Sequence, residues 1–456
     1  MKRNIFIIGF WIAFSIFNFQ FSIIVNAQST YTLEQILDSA RHNNIAIRHA
    51  EYSVEAAQEQ RKEAFTKYFP QVSGSGFWFN ANKGMAKMDV NLSDNITPEM
   101  AQSIAQSGVL PVEALASLDQ PISTTMMKNG VMGSVMAMQP VFAGGQIVNG
   151  NKLAKVGEDV SKLQLRLSQN EVDKTAEQYY WQIVSLEEKM KTIEAVEALL
   201  ADINKDVTVA VKAGVAMRND LLQVELRQND VESQKLTLSN NISLLRMLLA
   251  QYCGLQSTDF TLSYNPEVTS PLAEKQDHQT ALLSTAEYQL LGKQVEATKL
   301  QHKMAIGENL PTVAVGGGLV YHNLLDNGRS FGMLMATVSI PISDWWGGSH
   351  NIKRKKIERQ KAVEQLADNA ELLKINMQHA WNNVEESYQQ LVIAERSIEQ
   401  ATENLRLNRD FYQAGTTTMS DLLEAQLLYQ QSLDKRTDAY TDYQNKLLAY
   451  RQAVGQ

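Results

Sequence analysis

Asp421 and Glu424 stand three residues apart where a helical pattern resumes, so both carboxylates share one face of its first turn. Such a pair can attract cations, or it can simply complement the positive end of the helix. Thioether sulfur, which suits Cu(I), is concentrated at Met126, Met127, Met132, Met136 and Met138. Met132, Met136 and Met138 share one face of a strand, however, where apolar side chains directed at lipid are expected, and no metal site is assigned. The seven histidines are scattered without ligand spacing. The only cysteine, Cys253, follows Leu248, Leu249 and Tyr252 and reads as a packed thiol with no disulfide partner. Lys353, Arg354, Lys355, Lys356 and Arg359 follow Trp345-Trp346. Paired tryptophans suit a membrane interface, so this run is either a solvated helix face or a contact with headgroups or a neighbouring chain. No nucleophile–base set and no phosphate-binding glycine loop is present. Hence no catalytic residue, no cofactor and no enzymatic activity are expected.

The elements that carry these residues occur twice. Ala213-Gly214 before Asp220-Leu221-Leu222 returns as Ala414-Gly415 before Asp421-Leu422-Leu423, 201 positions later, and Pro140/Pro341 and Gly254/Gly455 keep the same offset. The chain is a tandem duplication of a unit much longer than usual solenoid repeats.

Composition narrows the class. A 44% hydrophobic, 20% charged chain with nine prolines and a net charge of -8 is neither disordered nor a basic nucleic-acid binder. Lys2 and Arg3 precede an apolar run from Ile5 to Phe17, and Val25-Asn26-Ala27 ends it with the small residues a signal peptidase reads. Residues 1–27 are therefore read as a signal peptide. No later stretch approaches the length of a transmembrane helix, so a mature chain that meets a membrane must do so with strands.

Helical spacing runs from Thr32 to about Lys67 and is stopped by Pro70. Alternation at a period of two follows over residues 71–80 and again over 131–142, with Pro140 at the exit. The second copy repeats this order: a helix from about Ala281 to Glu308, strands at about 312–321 and 331–342, and Pro341 at the exit. The loop between strands is long in the first copy, about 80–130, and short in the second, 322–330. Gly144-Gly145 and Gly347-Gly348 are expected to precede long helices, the first running to Lys212. At 1.5 Å per residue such a helix is a rod of about 95 Å. Shorter helices return over about 220–252 and 421–453. The division is thus 1–27 signal peptide, 28–254 first repeat, 255–280 a partly extended linker, and 281–456 second repeat.

Four strands cannot close a barrel, and an open edge in hydrocarbon costs several kcal/mol per unsatisfied backbone group. Several chains must share one barrel. Three chains would supply twelve strands, enough for a pore.

The Pro70 and Pro311 helix-to-strand junctions, the Pro140 and Pro341 strand-to-helix junctions and the two Ala-Gly…Asp-Leu-Leu turns resemble the TolC family of outer-membrane efflux proteins. The resemblance covers essentially the whole mature length. It implies a mainly α fold with a membrane β-barrel: duplicated helical hairpin rods and four strands per chain. A homotrimer would form the twelve-stranded barrel and a periplasmic helical tunnel, in the outer membrane of a Gram-negative bacterium. The implied role is the passive exit duct of a tripartite efflux or secretion system, with a periplasmic adaptor and an inner-membrane transporter as partners.

The same resemblance makes Gly214, Val215, Ala216, Gly415, Thr416 and Thr417 the adaptor-docking tips. It makes Asp220, Tyr412, Asp421 and Glu424 the periplasmic gate, with Asp220 and Tyr412 as a latch pair and Asp421 and Glu424 as an acidic ring. Thr417 stands where the family often has an arginine, and Arg218 on the other tip is the available substitute. The competing reading is an exported coiled-coil structural protein without a pore.

Overall fold

The computed structural model describes residues 29–90, 96–107, 122–266, 268, 270–324 and 328–456. The signal-peptide reading of residues 1–27 falls outside them, as do parts of both strand-connecting loops. The chain divides into two compact units, one comprising Met1–Glu55, Val160–Gly292 and Gln365–Gln456, the other Ala56–Asp159 and Lys293–Glu364.

The first unit is helical and duplicated. Helix α1 (Leu33–Asn43) is capped by Thr32, whose hydroxyl accepts from Gln35 N while the Gln35 side chain accepts from Thr32 N. The single helix expected from Thr32 to Lys67 is broken at Asn44, which is extended at ψ 133° and holds Ala46 N and Tyr252 O with its carboxamide. Helix α2 (Ile45–Thr66) then continues into the other unit.

Helix α4 (Gln146–Lys212) ends in the first unit and α5 (Arg218–Cys253) returns from it. In the second copy α6 (His278–Leu282) and α7 (Ala286–Gly307) replace one expected helix, and α8 (Asp344–Gln413) and α9 (Met419–Ala453) form the hairpin. Both breaks dock on the glycine that ends a returning helix. Asn43 donates to Cys253 O beside Gly254 (φ +67°), and Arg166 clamps Ser284 O and Gly455 O (φ +84°).

The 201-residue offset also relates the buried cores. Tyr180 and Trp381, Ile183 and Val384, and Leu249 and Tyr450 are all at most 1% exposed, each pair placing one member in each of two clusters. Cys253 is fully buried, and burial pushes its thiol up to about 12. The linker is extended where Phe260–Ser263 (β6) pairs in parallel with Ser29–Thr32 (β1), a pairing that four-residue strands 231 positions apart do not advertise in sequence.

The second unit holds an antiparallel four-stranded sheet in the order β2 (Gln71–Asn80), β5 (Asn129–Ala143), β7 (Thr312–His322), β8 (Arg329–Ser339). Between β2 and β5 lie a small hairpin, β3 (Ala86–Val90) with β4 (Ile122–Met126), and helix α3 (Pro98–Gln106). β2 and β8 are its edges and have no partner on their outer sides within the described residues.

Residues paired across strands share a face. One face carries Val72, Trp78, Val135, Leu319, Leu334 and Val338, exposed by 57% or more. The other carries Ser73, Ser75 and Ser134, with a hydrogen bond of 2.8 Å between the last two. Met132, Met136 and Met138 do share a face, but it is this serine-bearing one and not the apolar one expected for them. Alternation in one strand sets which residues go together; only the cross-strand register shows their company.

The two Gly-Gly pairs are not equivalent. Gly144 and Gly145 adopt φ +58° and +75° ahead of α4. A Cβ on Gly144 would overlap the carbonyl oxygen of Gly307, so backbone touches backbone there. Gly347 and Gly348 instead lie inside α8, which starts at Asp344, and this corrects the expectation that they precede the helix. A Cβ on Gly348 would overlap the Asn309 carboxamide, so this glycine serves close approach of α7's end rather than a turn. Trp345 Nε1 donates to Asn309 O at 3.0 Å in the same contact.

Candidate docking tips and gate

Both hairpin tips close by the same backbone device. Val215 N donates to Ala210 O and Gly214 N to Val211 O; Thr416 N donates to Phe411 O and Gly415 N to Tyr412 O, all at 2.9–3.0 Å. This is a Schellman ending, which requires a left-handed residue, and Gly214 (φ +77°) and Gly415 (φ +71°) supply it. Nothing lies within 4 Å of the place a Cβ would take on either glycine. Steric space is free, and only the backbone conformation demands glycine.

The chemistry of the two tips differs. The first presents Gly214, Val215 (80% exposed) and Met217 (74% exposed), with Ala216 half-buried. The second presents Gly415, Thr416 and Thr418, with Thr417 half-buried. One tip is apolar, the other rich in hydroxyls.

Asp220 and Asp421 occupy the same position in the two copies, three residues past the cap. The Asp421 carboxylate accepts from Thr417 Oγ1 (2.9 Å), Thr418 Oγ1 (2.6 Å) and Thr418 N (3.0 Å). These bonds, the Thr418 hydroxyl first, hold Asp421 below its ordinary carboxylate range. Asp220 accepts from Met217 N at 3.2 Å, and residue 217 has no hydroxyl to return a bond. Both aspartates therefore act in helix capping, the simpler of the two roles open to Asp421 in sequence.

Glu424 is exposed on the outer side of the same first turn, and its counterpart Gln223 accepts from Ser420 Oγ at 3.3 Å. Tyr412 is half-buried and packs against the hydrophobic cluster of the tip, which includes Leu422 and Val224. Burial raises its hydroxyl above the ordinary range, with the charge of Asp220 as the second cause; Asp220 makes its hydrogen bond to Met217 N and not to Tyr412. Arg218 is exposed at the start of α5, and Thr417 is engaged with Asp421.

A polar seam that sequence reasoning missed joins the two returning helices behind the tips. Arg227 donates to Gln426 Oε1 (3.0 Å) and Gln430 Oε1 (2.7 Å), and Gln430 Nε2 donates to Gln234 Oε1 (3.1 Å). Gln426 is fully buried and Gln430 is 4% exposed. Burial lowers the Arg227 pKa from its ordinary value. The only hint in sequence was that Gln426 and Gln430, four apart, face inward beside Leu422 and Ala425.

The basic run after Trp346 is solvated in part: Glu358 pairs with Lys355 at 2.7 Å and Arg354 at 3.8 Å, while Lys353, Lys356 and Arg359 are exposed. Among the described residues no helix is long and apolar enough to cross a membrane, and no cluster of His, Cys, Asp and Glu could hold a metal ion.

Residues 279–456 match the family model described as outer membrane efflux protein. No curated protein sequence matches the chain. Solved structures do match in fold. The outer membrane protein VceC from Vibrio cholerae is 13% identical with a TM-score of 0.71, covering 93% of this chain and 96% of that one. The Campylobacter jejuni CmeC outer membrane channel is 14% identical with a TM-score of 0.73, covering 93% and 85%. The open state of the Neisseria gonorrhoeae MtrE outer membrane channel is 14% identical with a TM-score of 0.68, covering 93% and 88%.

Proposed function

We propose that this chain, an outer membrane efflux protein by its 279–456 domain and by its fold, is the exit duct of an efflux or secretion system in a Gram-negative outer membrane. The observation that carries the reading is the four-stranded sheet with two open edges, one apolar face and one serine-bearing face. Such a sheet is unstable in hydrocarbon alone, because its edge groups lack partners. Three copies joined edge to edge close twelve strands, with the Leu334 face towards lipid and the Ser73 face towards a water-filled lumen. Catalysis forms no part of this role.

The helical hairpins form the periplasmic wall, and their tips dock an adaptor that links the duct to an inner-membrane transporter. Gly214, Val215 and Ala216 offer that adaptor an apolar knob, and Gly415, Thr416 and Thr417 a hydroxyl-bearing one. A trimer presents the two kinds alternately. Asp220 with Tyr412 latches the closed end, and Glu424, with Asp421, lines it with negative charge that favours cations.

An exported coiled-coil protein without a pore would account for α4, α5, α8 and α9 but not for a sheet whose faces differ in polarity. Reconstitution in planar bilayers tests the duct: stepwise conductance from a heat-modifiable trimer is expected, whereas a soluble rod with no conductance refutes it.

A further inference from the structure

Every methionine of the four-stranded sheet lies on its serine-bearing face: Met132, Met136 and Met138 on β5, Met333 and Met335 on β8. Apolar filling towards hydrocarbon would have put them beside Leu334 and Val135 on the opposite face. The opposite face is filled by Val72, Trp78, Val135, Leu319, Leu334 and Val338 and carries no methionine, whereas Phe77, Val320 and Phe331 share the face of the methionines and serines.

The register stacks four of the five in two adjacent rows. One row runs Gln71, Met138, Gly316, Met335, and the next Ser73, Met136, Gly318, Met333. In each row a glycine separates two methionines, and a thioether fills the gap. Met138 Sδ takes the place of a Cβ on Gly316, and a Cβ on Gly318 would stand 2.7 Å from Met136 Sδ. Two strand spacings put the backbones of a row about 9.6 Å apart. The β5 thioethers already lean over the glycines, and unbranched Met335 and Met333 side chains reaching back from β8 are long enough to meet them at one ion. Neighbouring rows are about 7 Å apart, so up to four thioethers converge. Five further methionines, Met85, Met88, Met100, Met126 and Met127, fall between β2 and β5 in sequence, so ten of the chain's 17 belong to the sheet strands or to the segment joining two of them. Met85 and Met100 are more than half exposed.

Thioethers are soft and neutral. They select Cu(I) and Ag(I) over Zn(II) or Mn(II), and a site without carboxylates releases its ion readily, as a conduit requires. We propose that these rows are a thioether site for a soft monovalent cation, Cu(I) or Ag(I), on the serine-bearing face of the sheet. The site rests on the register alone; that such a cation passes out along it rests on the exit-duct reading.

The test titrates the detergent-solubilised full-length protein with silver nitrate in buffer free of chloride and thiols, and measures bound silver per chain after gel filtration. Wild type and a control variant, Met247→Leu, are expected to bind alike. Combined Met136→Leu, Met138→Leu, Met333→Leu and Met335→Leu, which keeps volume and hydrophobicity, is expected to raise half-saturation about tenfold or more. Equal binding by wild type and the fourfold variant, or no binding by wild type, overturns the site. Should the fourfold variant fail to assemble, silver-edge absorption on wild type decides: sulfur neighbours support the site, oxygen or nitrogen alone overturns it. Bilayer conductance of the same preparation separates the readings. A conducting protein that ignores silver removes the thioether site only, and a non-conducting one removes the duct.

Discussion

Met217 and Thr418 hold the same position, the last residue before each returning helix, and only Thr418 has an oxygen to give it. Thr418 Oγ1 accepts from Asp421 N at 3.2 Å, whereas residue 217 leaves the equivalent helix without a side-chain cap. Met217→Thr should complete the box with Asp220 and stabilise the first tip by about 1 kcal/mol, and Thr418→Ala should cost the second about as much. Thermal unfolding of the isolated protein measures both. No gain from Met217→Thr would show that the missing hydroxyl does not limit the stability of the first tip.

Opening of the closed end is expected to follow loss of the latch. If the two residues form the proposed latch, Asp220→Ala with Tyr412→Phe should raise single-channel conductance, the charge of Asp220 already acting on the half-buried Tyr412 hydroxyl. Unchanged conductance would take the gate away from this pair and leave Asp220 as a helix cap.

Acid should act on the second tip through Asp421. Its folded pKa lies below the 3.8 of the free side chain, so the unfolded form takes up its proton first as pH falls. The stabilisation is therefore complete above about pH 4 and lost as pH drops through the lower folded value. The difference in melting temperature between wild type and Asp421→Asn should be constant near neutrality and shrink as pH falls through 3.8 towards the lower folded value. A difference that closes instead near neutrality would point to a different titrating group.

The seam behind the tips predicts a non-additive pair. Gln426→Leu with Gln430→Leu strips Arg227 of its acceptors and should destabilise by about 1–3 kcal/mol. Adding Arg227→Met should recover much of that loss, since no cation is then left half-buried. Additive losses in unfolding experiments would show that the three residues do not act as a unit.

Glycines of one helix and its entry turn should respond in opposite ways. Gly144→Ala must displace the Gly307 backbone and tolerate a positive φ, so trimer yield should collapse. Gly157→Ala, in open space inside α4, should raise stability by about 0.5–1 kcal/mol. Comparing heat-modifiable bands for the two variants is sufficient.

How much of this could be read from residues alone depends on how local the cause is. The strands at 71–80 and 312–322 were legible because alternation and the prolines at 70 and 311 act within a few residues. The hairpin tips were legible because glycine repeats where φ must be positive. Asn44 and Ser284 broke helices that periodicity joined, since the reason lies about 200 and 170 residues away at the glycines ending α5 and α9. Gly347-Gly348 looked like Gly144-Gly145, yet they are 203 apart rather than 201, and the helix runs through them. Arg227 with Gln426 and Gln430, and the pairing of β1 with β6, are contacts between distant segments that no window of sequence contains.

The unpartnered edges of β2 and β8 carry a kinetic consequence. On the exit-duct reading no chain can finish its own sheet, so the last step of barrel formation would be a meeting of molecules and its rate would depend on their concentration. A scarce supply of newly exported chains would leave sheets waiting with bare edges, the species most open to proteolysis and to pairing with the wrong neighbour. Supply, as much as sequence, then sets how many finished channels a cell obtains.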